Sequence, residues 1–117
     1  MNNFKILNNI IKYINKILCY TENVDYETFE NDNLLQDACF MNLIQIGEEA
    51  QRIDSDFIYK YNYIKWNEIR GLRNKIVHDY EGIKYLIVWD TIKEDLPKLK
   101  NQLEELINNN IKSNTNG

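Results

Sequence analysis

Apolar side chains recur at three- and four-residue steps from one end of this chain almost to the other, a rhythm that only helices can bury on one face. Phe4, Leu7, Ile10, Ile11, Ile14, Ile17 and Leu18 mark a first helix. Leu34, Leu35, Ala38, Cys39, Leu43, Ile46, Ala50 and Ile53 mark a second, in which Gly47 lets a neighbouring helix come close. Asp54 and Ser55 break the rhythm and are placed to cap a short helix through Phe57, Ile58 and Tyr61. A third main helix is expected from about Trp66 to Tyr80, with Trp66, Ile69, Leu72, Ile76 and Val77 on its apolar rows and Glu81-Gly82 as its end. Ile83, Leu86, Ile87, Trp89 and Ile92 open a fourth, which Pro97 either kinks or restarts, and Leu99, Leu103, Leu106 and Ile107 carry the stripe onward. Strand signals are weak, because no hairpin dipeptide lies between alternating segments. The expected fold is all-α: an antiparallel bundle of four to five helices with short connections, one domain over residues 1–107 and a frayed polar tail over 108–117.

Size and composition narrow the function classes. A chain of 117 residues can bury one core but not two. Its longest apolar runs are a few residues, far short of the roughly 20 that cross a bilayer, and the amino terminus lacks a secretory cleavage pattern. No membrane partner is expected, and the cytoplasm is the expected location. Cys19 and Cys39 lie far apart and near no other ligand-type residue, so they read as small buried hydrophobes in a reducing compartment. No metal site or cofactor is expected, since nothing supplies four ligands at fixed spacing.

With 14 basic and 18 acidic residues, the chain cannot attract polyanions by bulk charge. Between Lys60 and His78, however, Lys60, Lys65, Arg70, Arg73 and Lys75 face a single acid, Glu68. This is either a local positive patch or a solvated helix face. The same stretch holds the only histidine, His78, in the octet Arg73-Asn74-Lys75-Ile76-Val77-His78-Asp79-Tyr80.

Histidine titrates near neutral pH, and its charged form is favoured near a helix C-terminus. An arginine fork matches a phosphate, and Asn74, one helical turn before His78, is placed to fix the imidazole's tautomer. Arg73 and His78 are five apart, roughly 140° around an ideal helix, so one regular helix does not aim both at a point. Either the helix loosens near His78, a second copy supplies half the site, or the two do not cooperate. Metal-free phosphodiester cleavage needs a base, an acid and a cation. One chain offers one histidine, whereas a symmetric dimer offers two histidines and two arginines.

Other residues carry weaker signals. Glu48 and Glu49 are candidates to orient Arg73 or His78, or else face solvent. Tyr59, Tyr61 and Tyr63 either pack a connecting helix or stack on unpaired bases. Trp66 and Trp89 belong to the core, and Lys65 and Arg70 are candidates for RNA phosphate contacts.

Arg73, four residues, His78, one residue and Tyr80 together resemble the motif of the HEPN superfamily, and specifically its HepT-like toxin branch. Ile46-Gly47-Glu48-Glu49-Ala50, Trp66, Ile69-Arg70-Gly71-Leu72, Val88-Trp89 and Asp95-Leu96-Pro97 match that branch as well, so the likeness covers nearly the whole chain. The resemblance implies a HEPN-like helical homodimer whose two Arg-His motifs meet in an interface cleft. It implies a metal-independent endoribonuclease, the toxin of a toxin-antitoxin module, with Arg73 and His78 catalytic and Asn74 supporting. It also implies an MntA-like nucleotidyltransferase antitoxin that transfers AMP to Tyr80 and so blocks the cleft. The alternative is a non-catalytic helical interaction module that binds a nucleotide or the nucleotidyltransferase.

Overall fold

A computed structural model describes residues 2–78 and 84–116, with the side chains of all of these except His78 and 114–116. Helix α1 (Asn3–Tyr20) begins where the Asn2 side chain accepts a hydrogen bond from the Phe4 N–H at 2.9 Å, and it buries Ile6, Leu7, Ile10, Ile14 and Ile17 along one face. A six-residue helix, α2 (Tyr26–Asn31), follows under the Asp25 cap, which takes the Thr28 N–H at 2.8 Å. Only Phe29 of α2 is buried, too short a pattern for periodicity to detect. Asp32 then caps α3 (Asn33–Gln51) through the Leu35 N–H.

α3 lies antiparallel to α1. Asn3 Nδ2 donates to Asp54 Oδ2 and Asn9 Nδ2 to Glu49 Oε2, tying the start of one helix to the end of the other. Asp54 precedes α4 (Ser55–Lys60), as expected, but makes no side-chain cap. Its carboxylate takes the Asn3 amide, and its own N–H donates to Asn3 Oδ1 at 3.2 Å, so Asn3 diverts it from capping.

The third rod is two pieces where one was expected: α5 (Trp66–Arg70) and α6 (Leu72–His78), parted at Gly71. Glycine is a poor helix former, and the break falls on it. The fourth rod joins α7 (Tyr85–Asp90) to α8 (Leu96–Asn116) through one wide turn, Thr91–Asp95, in which the Leu96 N–H reaches back five residues to the Thr91 carbonyl. Pro97 lies in the first turn of α8, the restart that was one of its two expected roles. It has no N–H to give residue 93 and its ring crowds that carbonyl, and a widened turn relieves both conflicts. α8 continues through the polar run to Asn116 instead of ending near residue 107. That run has no Gly or Pro before its last residue, and Asn, Ser and Thr each cost a helix under about 1 kcal/mol.

The architecture is therefore all-α, with no strand among the described residues. Trp66 and Trp89 are buried, and Trp66 Nε1 donates to the Tyr61 carbonyl at 3.0 Å. Four apolar residues read as core by spacing are instead exposed: Leu34 at 82%, Val77 at 45%, Leu86 at 53% and Ile87 at 45%. Cys39 is buried as expected, and burial pushes its thiol up to about 11, with nearby Lys93 opposing the shift. Cys19 is exposed, contrary to expectation, because two residues beyond Ile17 lies on the opposite side of α1. The expected helix end at Glu81-Gly82, and Ile83, lie outside the described residues. No described helix is long and apolar enough to cross a membrane.

Candidate active site

A close approach between two helices fixes the site. A Cβ added at Gly47 of α3 would sit 2.9 Å from the Arg73 backbone nitrogen and 3.2 Å from Arg73 Cβ. The expectation that Gly47 admits a neighbour closely is met, and the neighbour is the arginine of the octet. One residue further along α3, Glu48 Oε1 accepts from Arg73 Nε at 2.9 Å, and Arg73 Nη1 donates to Asn74 Oδ1 at 3.1 Å. Both side chains of the ion pair are about half exposed, 45% and 51%. A pair in that setting is worth no more than about 1 kcal/mol, so an arriving phosphate can displace the carboxylate cheaply. Arg73 is thus anchored by its backbone and loosely aimed by its side chain.

The neighbouring glutamate behaves differently. Glu49 is buried in the seam with α1, where it accepts from Asn9 and meets Arg52 Nη1 at 3.5 Å. Of the two carboxylates weighed for orienting the octet, Glu48 reaches it.

Arg70 and Lys65, the two candidates for phosphate contacts, part company. Arg70 Nε donates to the Ala50 carbonyl at 3.0 Å and Nη2 to the Ile53 carbonyl at 2.8 Å, while Gln51 Nε2 donates back to the Arg70 carbonyl. Carbonyls at a helix C-terminus lack intrahelical partners, and Arg70 takes one in the last turn of α3, Ala50, and one just past its end, Ile53. It stitches α5 to α3 one turn ahead of Arg73. Lys65 is exposed at the start of α5 and lies in a groove beside α8, away from Glu48.

α6 remains helical through His78, so backbone positions 73 and 78 keep their offset of roughly 140°. Of the three readings of that misfit, loosening at the end of the helix would have to fall at or beyond His78, and residues 79–83 lie outside the described ones. The imidazole, its expected contact with Asn74, and Tyr80 lie outside the described side chains.

Exposed apolar side chains lie on both helices that carry the site. Leu34, Met41 and Glu48 are seven apart and share one face of α3, with Leu34 82% and Met41 57% exposed, and Val77 is exposed on α6 one turn beyond Arg73. Met41 escaped notice in the sequence, although its seven-residue spacing from Glu48 was the available signal.

The model of a family described as Ribonuclease HepT-like matches residues 10–106. A Methanocaldococcus jannaschii protein named "Putative RNase MJ1216" is 37% identical over 101 residues, 86% of this chain and 84% of that one. A Thermococcus cleftensis protein named "Probable ribonuclease HepT" is 35% identical over 100 residues, 86% of this chain and 91% of that one. No solved structure matches the chain.

Proposed function

Because the chain belongs to the HepT-like ribonuclease family, we propose that it is the toxin of a toxin-antitoxin module, cleaving RNA in the cytoplasm by metal-independent acid-base chemistry at a cleft between two copies. The observation that carries this reading is Arg73: its backbone is locked against Gly47, while its guanidinium is held by a half-exposed carboxylate that a phosphate can replace. The exposed Leu34 and Met41 on the Glu48 face of α3, and Val77 on α6, support a covering second copy.

In that arrangement one neutral His78 takes the proton of a ribose 2'-hydroxyl, and the freed oxygen attacks the adjacent phosphorus. The bond to the 5'-oxygen breaks as the other protomer's His78, protonated, gives that oxygen a proton. Products are a 2',3'-cyclic phosphate and a 5'-hydroxyl. Arg73 neutralises the extra charge on the phosphorane, a role its permanent charge and fork geometry suit, and Asn74 supports the pair. An MntA-like nucleotidyltransferase silences the toxin: the Tyr80 hydroxyl attacks the α-phosphorus of ATP, pyrophosphate leaves, and the added AMP fills the cleft with bulk and negative charge.

His78→Ala tests the reading. RNA cleavage by purified, unmodified protein should fall by about 10²- to 10⁴-fold with circular dichroism unchanged, and undiminished cleavage would discard the mechanism. Coexpression with the nucleotidyltransferase should add mass in AMP steps, absent in Tyr80→Phe.

A further inference from the structure

A groove of about 500 Å³ opens between α5, α6 and the start of α8, on a different side of α6 from Arg73, since its lining residue Lys75 lies roughly 200° around the helix from it. Ile69, Leu72 and Leu99 are the less exposed, apolar part of its wall, whereas Lys65, Lys75 and Lys98 are exposed along it. Among the described residues none of these three lysines is held in an ion pair. Tyr63, 59% exposed, stands at the same groove.

The geometry points to this groove as the path of single-stranded RNA leading to the Arg73–His78 motif. The inference rests on the ribonuclease reading and adds where the substrate lies. Lysine is a mobile point charge that follows a phosphate backbone without fixing one phosphate in a fork. An exposed tyrosine offers a stacking face to any base, and lysines with such a ring are the two parts from which sequence-tolerant single-strand sites are built. The apolar wall suits base and ribose faces. Glu68 and Asp95 also line the groove, and Glu105 lies close enough to Tyr63 to help burial keep its hydroxyl protonated. These carboxylates keep phosphates to the lysine positions and can accept hydrogen bonds from base amino groups. The direction follows from α6. Lys75 is three residues before His78, about 4.5 Å along the axis, so a strand held at Lys75 is one step from the reactive helix end.

The test is binding, measured apart from cleavage. In a His78→Ala background, fluorescence anisotropy follows a labelled 12-nucleotide single-stranded RNA across a salt series. Combining Lys65→Gln, Lys75→Gln and Lys98→Gln should weaken binding at least tenfold and flatten the salt slope by about 2, three contacts at about 0.7 each. Tyr63→Leu should weaken binding with the slope kept. All four side chains are exposed, so the fold is retained. Unchanged affinity and slope in the triple variant, or a parent that fails to bind RNA, overturns the inference. RNA held through the lysines yet left uncut by protein with native His78 supports the groove and refutes the catalytic reading instead.

Discussion

Arg73 is held by two unlike constraints, and they fail differently when altered. Its backbone touches Gly47 at a distance no side chain allows, and neither backbone can yield alone. Gly47→Ala should therefore push α6 off α3, costing about 1–3 kcal/mol by denaturant midpoint and lowering RNA cleavage along with stability. Glu48→Gln removes only a half-exposed ion pair. It should leave stability within about 1 kcal/mol of the parent while slowing cleavage, because the guanidinium loses its aim. The two cysteines give a second check at this scale. Cys39 is buried with its thiol raised to about 11, and Cys19 is exposed. At pH 8 a thiol reagent should take one equivalent from the native chain and a second only after denaturation; rapid double labelling would contradict the packing of α3. The raised Cys39 value also has a sign: its ordinary value is 9.0, so its contribution to stability is complete below about pH 9 and is lost as pH climbs through 11.

At the scale of elements, arginines three apart do separate jobs, and sequence could not tell them apart. Arg70 closes the carbonyls of Ala50 and Ile53, whereas Arg73 meets Glu48. Both read as basic residues near the motif, and only the end point of α3 decides which fork is occupied. Arg70→Ala should destabilise the fold by about 2 kcal/mol, two charge-assisted bonds at a partly exposed site, a loss that thermal or urea unfolding reads directly. An unaltered midpoint would leave Arg70 without its structural role. The long rods α1 and α3 were legible because each repeats an apolar face over four turns or more. α2 was not, having one buried apolar side chain. The break at Gly71 and the wide turn before Pro97 were legible as residues but not as outcomes, since a helix can meet a glycine or a proline in more than one way. Leu34, Val77, Leu86 and Ile87 expose the limit of periodicity: it finds apolar faces and is silent on what covers them.

For the whole molecule, the offset of Arg73 and His78 on a continuous α6 makes cooperation within one chain geometrically poor. Because the proposed cleft uses the histidines of both copies, an excess of His78→Ala chains, mixed with the parent and allowed to exchange subunits, should silence the parent's cleavage beyond simple dilution. Activity that falls only in proportion to dilution would place each site within a single chain. Met41→Glu, set in the exposed stripe on α3, should shift the assembly toward single chains in sedimentation and lower cleavage without unfolding α3. The contact at Gly47 bears on engineering too. Grafting the Arg-x4-His-x-Tyr string onto another helical scaffold would copy the letters and lose the function. The arginine's height above its neighbour is encoded in an absent side chain on a different helix, so a transplant must carry that missing atom with it.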